Sequence, residues 1–146
     1  QLEVEMEKIN IIYWSGTGNT EKMAEGIKKG IESKGVEANL LKVSDATLAD
    51  VESCEKIAFG CPAMGAEELE EVEMRPFMDE VNKILSGKKV VLFGSYEWAN
   101  GEWMDTWEDE VHDTGANIVE TLICFGEPSG DSMDECERVG RAIAEA

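Results

Sequence analysis

The feature that most constrains this chain is a repeated alternation: short, Ile- and Val-rich runs, each followed by a longer amphipathic stretch. The apolar runs are Lys8–Trp14, Val36–Val43, Lys56–Cys61, Lys88–Gly94 and Asn117–Phe125. Each is too short for a helix that buries its whole surface, and each reads as a strand covered on both faces. Between them, Glu21–Ser33 places Met23, Ile27 and Ile31 at helical spacing. Helices also fit Leu48–Cys54, Arg75–Leu85, Glu102–His112 and Ser132–Ala144, with Gly35 stopping the first of the series. Five strands separated by helices predict an α/β fold, a doubly wound parallel sheet with helices on both faces. Ligands of such sheets bind beyond the carboxyl ends of the strands, which directs attention to the loops after Trp14, Cys61, Gly94 and Phe125.

Composition narrows the function classes. The 146 residues carry 32 Asp and Glu against 13 Lys and Arg, a net charge of −19, yet 42% are hydrophobic. That content supports a core and excludes a disordered acidic tail. So negative a surface repels phosphate backbones and anionic lipid, which argues against nucleic-acid or membrane partners and favours proteins with basic patches. No stretch reaches the roughly 18 to 20 apolar residues that span a bilayer. The acidic start, Gln1–Glu5, does not resemble a secretory leader; Met6 fits a natural start, with residues 1–5 expected to be a tail or appended remnant. Cys54, Cys61, Cys124 and Cys136 form no C-x-x-C pair, so four reduced thiols and a cytoplasmic location are expected.

The first strand runs directly into Ser15-Gly16-Thr17-Gly18-Asn19-Thr20 and then a helix. Two glycines, three hydroxyls and an amide before a helix N-terminus suit an anion. The plainer reading is a Gly/Ser turn with Thr20 as the helix cap. A triphosphate loop would need Gly-Lys-Ser/Thr where Asn19-Thr20-Glu21 stands, and a dinucleotide fingerprint would need glycine at Glu21. What remains suits a terminal phosphate monoester held by neutral donors, with Lys22 pointing into solvent.

Four motifs in order then carry a family resemblance: Tyr13 to Thr20, Gly60-Cys61-Pro62-Ala63-Met64-Gly65, Leu92-Phe93-Gly94-Ser95-Tyr96 and Gly101-Glu102-Trp103-Met104. From about Lys8 to its end the chain resembles the short-chain flavodoxins of anaerobic bacteria. The resemblance implies strand order 2-1-3-4-5 and one FMN-binding domain over residues 6–146, and a monomer is expected. It also implies a low-potential one-electron carrier with FMN bound tightly but non-covalently. Such a carrier shuttles between semiquinone and hydroquinone and serves redox proteins with basic docking patches. An FMN-dependent reductase or redox activation partner on the same fold is the alternative.

By the same resemblance, Ser15, Gly16, Thr17, Gly18, Asn19 and Thr20 hold the phosphate, and Ser95 adds a hydroxyl. Met64 and Trp98 sandwich the isoalloxazine ring, on its inner and outer faces; both interrupt polar loops that have no amphipathic period, where a large apolar side chain is costly unless covered. Gly65 turns its carbonyl toward flavin N5, and Glu67 accepts from N3. Pro62, Ala63, Ala66, Tyr96, Glu97, Ala99 and Gly101 complete the cofactor loops. Ala66 stands where Asp or Ser is common, and Glu97 and Ala99 where glycine is common. An indole over the outer face would exclude a hydride donor, which disfavours the reductase.

Other candidates read as structural. Trp103 and Trp107, four apart on one helix with Val111 beyond, form a core stripe, and Trp14 is also expected to be structural. The pairs Glu67-Glu68 and Glu70-Glu71 are expected on a solvated face. His112, the only histidine, has no cysteine at ligand spacing and lies far from the strand ends, which disfavours zinc and a nucleophile–base pair. A phosphoacceptor domain would need acids after the first strand, where Ser15-Gly16 stands.

Overall fold

The computed structural model describes residues 7–65, 68–98 and 100–146. The expectations for residues 1–6 and for Ala66, Glu67 and Ala99 lie outside the described residues. In chain order the elements are β1 (Lys8–Tyr13), α1 (Asn19–Glu32), β2 (Glu37–Lys42), α2 (Leu48–Glu52), β3 (Lys56–Gly60), α3 (Met74–Val81), β4 (Lys89–Tyr96), α4 (Glu102–His112), β5 (Asn117–Phe125) and α5 (Asp131–Glu145). The strands form one parallel sheet in the order β2-β1-β3-β4-β5. Both the doubly wound sheet and its order agree with expectation.

Alternation along the central strands divides the core in two. Ile9, Ile11 and Tyr13 of β1, with Val91 and Phe93 of β4, face Met23, Ile27 and Ile31 of α1 and Val139 and Ile143 of α5. Ile12, Ile57, Phe59, Val90 and Leu92 face Met74 and Met78 of α3 and Trp103, Trp107 and Val111 of α4. Burying both faces requires continuous apolar strands. One exception is Asn10, whose Nδ2 donates to the Asp50 carbonyl at 2.8 Å and whose Oδ1 accepts from Asn39 at 3.1 Å. Both polar ends are therefore satisfied, as a buried amide requires.

Several boundaries differ from the sequence reading in ways that shape the ligand loops. α1 starts two residues early, at Asn19, because Gly18 turns the chain at φ 97°. β4 runs two residues past Gly94, carrying Ser95 and Tyr96 to the sheet's upper edge. α3 ends at Val81, and residues 82–84 tighten into a 3₁₀ turn. Trp14 and Cys61 lie just beyond β1 and β3.

Candidate functional site

Three loops meet above the carboxyl ends of β1, β3 and β4. The first joins β1 to α1. Ser15 Oγ accepts from the Gly18 N–H at 3.1 Å and the Glu21 N–H at 3.4 Å, so a side-chain oxygen satisfies part of the helix terminus. Thr20 is not the cap. It lies inside the first turn, 1% exposed, with its Oγ1 3.1 Å from Ser95 Oγ. Ser95 also directs its backbone N–H to Thr20 Oγ1 at 3.4 Å. The loop is thus stitched to the end of β4. Lys22 does reach outward, pairing with Glu127 at 3.0 Å on the surface.

The second loop leaves β3 at Cys61. Ala63 donates its N–H to the Ser95 carbonyl at 3.0 Å, and Met64 and Glu68 exchange two backbone bonds, each 3.0 Å, in an antiparallel bridge. Gly65 begins the turn at φ 43°, a conformation L side chains rarely adopt. Below this hairpin the expectation of a solvated acidic face fails at one residue. Glu68 and Glu71 are exposed, but Glu70 is 7% exposed. Its carboxylate accepts from the N–H groups of Val72 (2.8 Å), Glu73 (2.7 Å) and Met74 (2.9 Å) as α3 begins. Burial alone would raise its pKa; the three donors outweigh it and hold the carboxyl below the usual range. Cys61, beside it, is also buried. Desolvation pushes its thiol up to about 12, so it is not a nucleophile at neutral pH.

The third loop follows β4. Tyr96 packs edge-on to Phe125 with ring centroids 5.5 Å apart, and its carbonyl accepts from the Gly126 N–H at 2.8 Å. This gives the loop after β5 a contact that its sequence does not reveal. Glu97 is exposed, Trp98 is 59% exposed, and Gly101 turns at φ 84° into α4.

Between the loops lies a cleft of about 220 Å³ lined by Trp14, Gly16, Thr17, Pro62, Ala63, Met64, Ser95, Tyr96, Glu97 and Trp98. Nine of these ten were expected site residues. Of the others, Ser15 and Thr20 support the β1–α1 loop from behind, while Gly18, Asn19, Gly65 and Gly101 shape the adjoining turns. Trp103 and Trp107 are core residues, each 1% exposed. Trp14 packs against that core and also lines the cleft. It is half-buried, with its Nε1–H donating to Glu73 Oε1 at 3.2 Å. A Cβ at Gly16 would lie 3.1 Å from its ring, so the indole sits against the loop between β1 and α1. The signal that could have found it is its place at the end of a strand immediately before that loop. Among the described residues, the cleft wall carries no Lys or Arg, and its one charged residue is Glu97. Among the described residues, no group of three His, Cys, Asp or Glu is arranged to hold a metal ion.

A hydroxyl-rich loop at a helix terminus, beside apolar walls where β1 and β3 diverge, defines a mononucleotide-binding site on a doubly wound sheet. The flavodoxin family model matches residues 11–140. The chain is 45% identical to a flavodoxin of Megasphaera elsdenii over 94% of this chain and 99% of that one, and 46% identical to one of Clostridium beijerinckii over 93% and 99%. The solution structure of the two-electron reduced Megasphaera elsdenii flavodoxin superposes with a TM-score of 0.89, at 45% identity and covering 94% of this chain and 99% of that one. A flavodoxin from the domain Archaea superposes at 0.85, with 33% identity and coverage of 94% and 96%. The chain belongs to the flavodoxin family. It is accordingly an electron-transfer flavoprotein rather than an enzyme, and its cofactor is FMN.

Proposed function

We propose that residues 6–146 form one FMN-binding domain acting as a low-potential one-electron carrier, with the cofactor held tightly but non-covalently. The observation that carries this reading is the pairing of two unlike surfaces in one cleft. Met64 and a 59%-exposed Trp98 offer apolar faces to a flat ring, while Thr17 and Ser95 bring hydroxyls to the cleft beside a helix N-terminus, backed by Ser15 and Thr20. FMN fits both halves: a phosphate monoester for the uncharged donors, a tricyclic ring for the apolar walls. When bound, FMN supplies one-electron chemistry between semiquinone and hydroquinone.

The chain's own residues do the rest. Ser15, Gly16, Thr17, Gly18, Asn19 and Thr20, with Ser95, hold the phosphate. Met64 and Trp98 cover the ring and keep water and hydride donors from its faces. Gly65 offers a carbonyl toward N5, Glu67 an acceptor for N3, and Pro62, Ala63, Ala66, Tyr96, Glu97, Ala99 and Gly101 close the loops around them. A net charge of −19 fits encounter with redox proteins that present basic patches. A monomer in the cytoplasm is part of the same reading; among the described residues no helix is long and apolar enough to cross a membrane.

A reductive titration of the purified protein followed in the visible tests the carrier role. The one-electron reduced species should accumulate and then disappear. Direct passage to the fully reduced form, or rapid oxidation of nicotinamide cofactor by the isolated protein, would favour the reductase instead.

A further inference from the structure

Glu70 is the one acidic side chain of the 67–73 segment that the structure shows buried, and it bonds in every direction. Its N–H donates to Cys61 Sγ at 3.4 Å, where the cofactor loop leaves β3. Its carboxylate holds three successive N–H groups of residues 72–74, and its carbonyl accepts a fourth from Arg75 at 2.8 Å. One residue thus ties the exit of β3 to the first turn of α3, closing the base of the loop that carries the Met64–Glu68 bridge. The connection continues across the cleft. Glu73, whose backbone Glu70 holds, accepts from the indole N–H of Trp14 at 3.2 Å. Both Met64 and Trp14 line the cleft.

We propose that Glu70 is a positioning residue for the ring-binding half of the site: it fixes the Met64–Glu68 hairpin and the Trp14 wall without touching the cofactor. The proposal rests on the reading of Met64 as a ring contact. Solvated neighbours cannot do this work, because an exposed carboxylate exchanges its bonds with water at little net cost. A buried one leaves three backbone N–H groups to be re-satisfied if it is lost. The phosphate loop is outside its reach, since that loop is held by Ser15, Thr20 and Ser95.

The test compares Glu70→Gln, Glu71→Gln and Met64→Ala. Glu71→Gln removes the same charge from the exposed neighbour. Amide hydrogen exchange on the apoproteins reads the hairpin directly, and titrations with FMN and with riboflavin read the site. Glu70→Gln should lose protection at the Met64 and Glu68 amides while Lys22 keeps its own. It should weaken FMN and riboflavin by the same factor, about tenfold, since the amide oxygen keeps the bonds of one carboxylate oxygen while its NH2 offers the Val72 N–H no acceptor. Glu71→Gln should change neither. Cys61→Ala, which removes the acceptor of the Glu70 N–H together with the thiol's contact to the Pro62 carbonyl, should show a smaller loss at the same amides and serves if Glu70→Gln does not fold. Unchanged protection, loss spread evenly over the chain, or a larger loss for FMN than for riboflavin would overturn the proposal. Weakened binding in Met64→Ala with none in Glu70→Gln would overturn it while leaving the site intact. Indifference of both ligands to Met64→Ala would remove the reading on which it rests.

Discussion

The two loops that build most of the cleft are held in opposite ways. The phosphate loop is six residues long and organised by its own side chains and a helix terminus, with Ser95, among the described residues, as its distant hydrogen-bond partner. The loop after β3 spans Cys61 to Glu73, and its shape depends on a carboxylate that it buries beneath itself. The first is local chemistry. The second is a small folded unit. The comparison teaches that anchoring the phosphate and gripping the ring are separable, so each half should be breakable alone.

The largest effect should come from the phosphate side. Thr17→Val removes a hydroxyl that lines the cleft while keeping shape, and should weaken FMN by about 1.5–3 kcal/mol, the usual contribution of a hydrogen bond to a charged group. Riboflavin, lacking the phosphate, should bind as before. A calorimetric titration that finds both ligands equally weakened would merge the two loops into one.

Next comes the turn of the hairpin. Gly65 sits at φ 43°, and a β-branched residue there costs roughly 1–3 kcal/mol of backbone strain. Gly65→Val should therefore shrink the radical population in a reductive titration, because the peptide can no longer turn freely toward N5. An undiminished radical maximum would remove Gly65 from the redox role.

Acid should separate the halves again. Glu70 has its carboxyl held below the ordinary glutamate value of about 4.3, so its stabilising contribution is present above that value and is lost as pH falls through the lower, folded-state value. The stability gap between the native chain and Glu70→Gln should be constant near neutrality and narrow below about pH 4. Denaturant melts across that range check it; a gap that widens in acid would mean the carboxyl is raised instead.

The smallest effect belongs to Glu97, exposed on the cleft's rim. Glu97→Gln should raise the potential of the second electron by tens of millivolts at low salt, about 20–50 mV for a carboxylate some 8 Å away in a largely aqueous dielectric, and less at high salt. The first electron, which adds no charge to a neutral radical, should move less. Equal shifts in both steps would mean that the substitution alters packing rather than field.

How much of this was legible follows from the same contrast. The strands declare themselves because two buried faces demand unbroken apolar runs, and the phosphate loop because its turn chemistry lies within six consecutive residues. The helix start at Asn19 was missed by two residues: a glycine at positive φ, with Ser15 reaching back to it, does the capping expected of Thr20. Glu70 was hidden among Glu67, Glu68, Glu71 and Glu73. Nothing local marks which carboxylate of such a run is covered, since its burial comes from packing with residues far away in sequence. The second face of Trp14 is hidden for a related reason. A tryptophan at a strand's end packs against the core, as this one does, and reaches a cleft as well only where the next loop leaves room beside it, as Gly16 does here.

The most direct test of the central claim is one pair of calorimetric titrations of the apoprotein, with FMN and with riboflavin. If uncharged hydroxyls at a helix terminus hold a phosphate while separate walls hold the ring, both ligands bind and FMN binds at least tenfold tighter, since even one charge-assisted bond is worth about 1.5 kcal/mol or more. Affinities within tenfold of each other would contradict the assignment of Ser15–Thr20 to the phosphate.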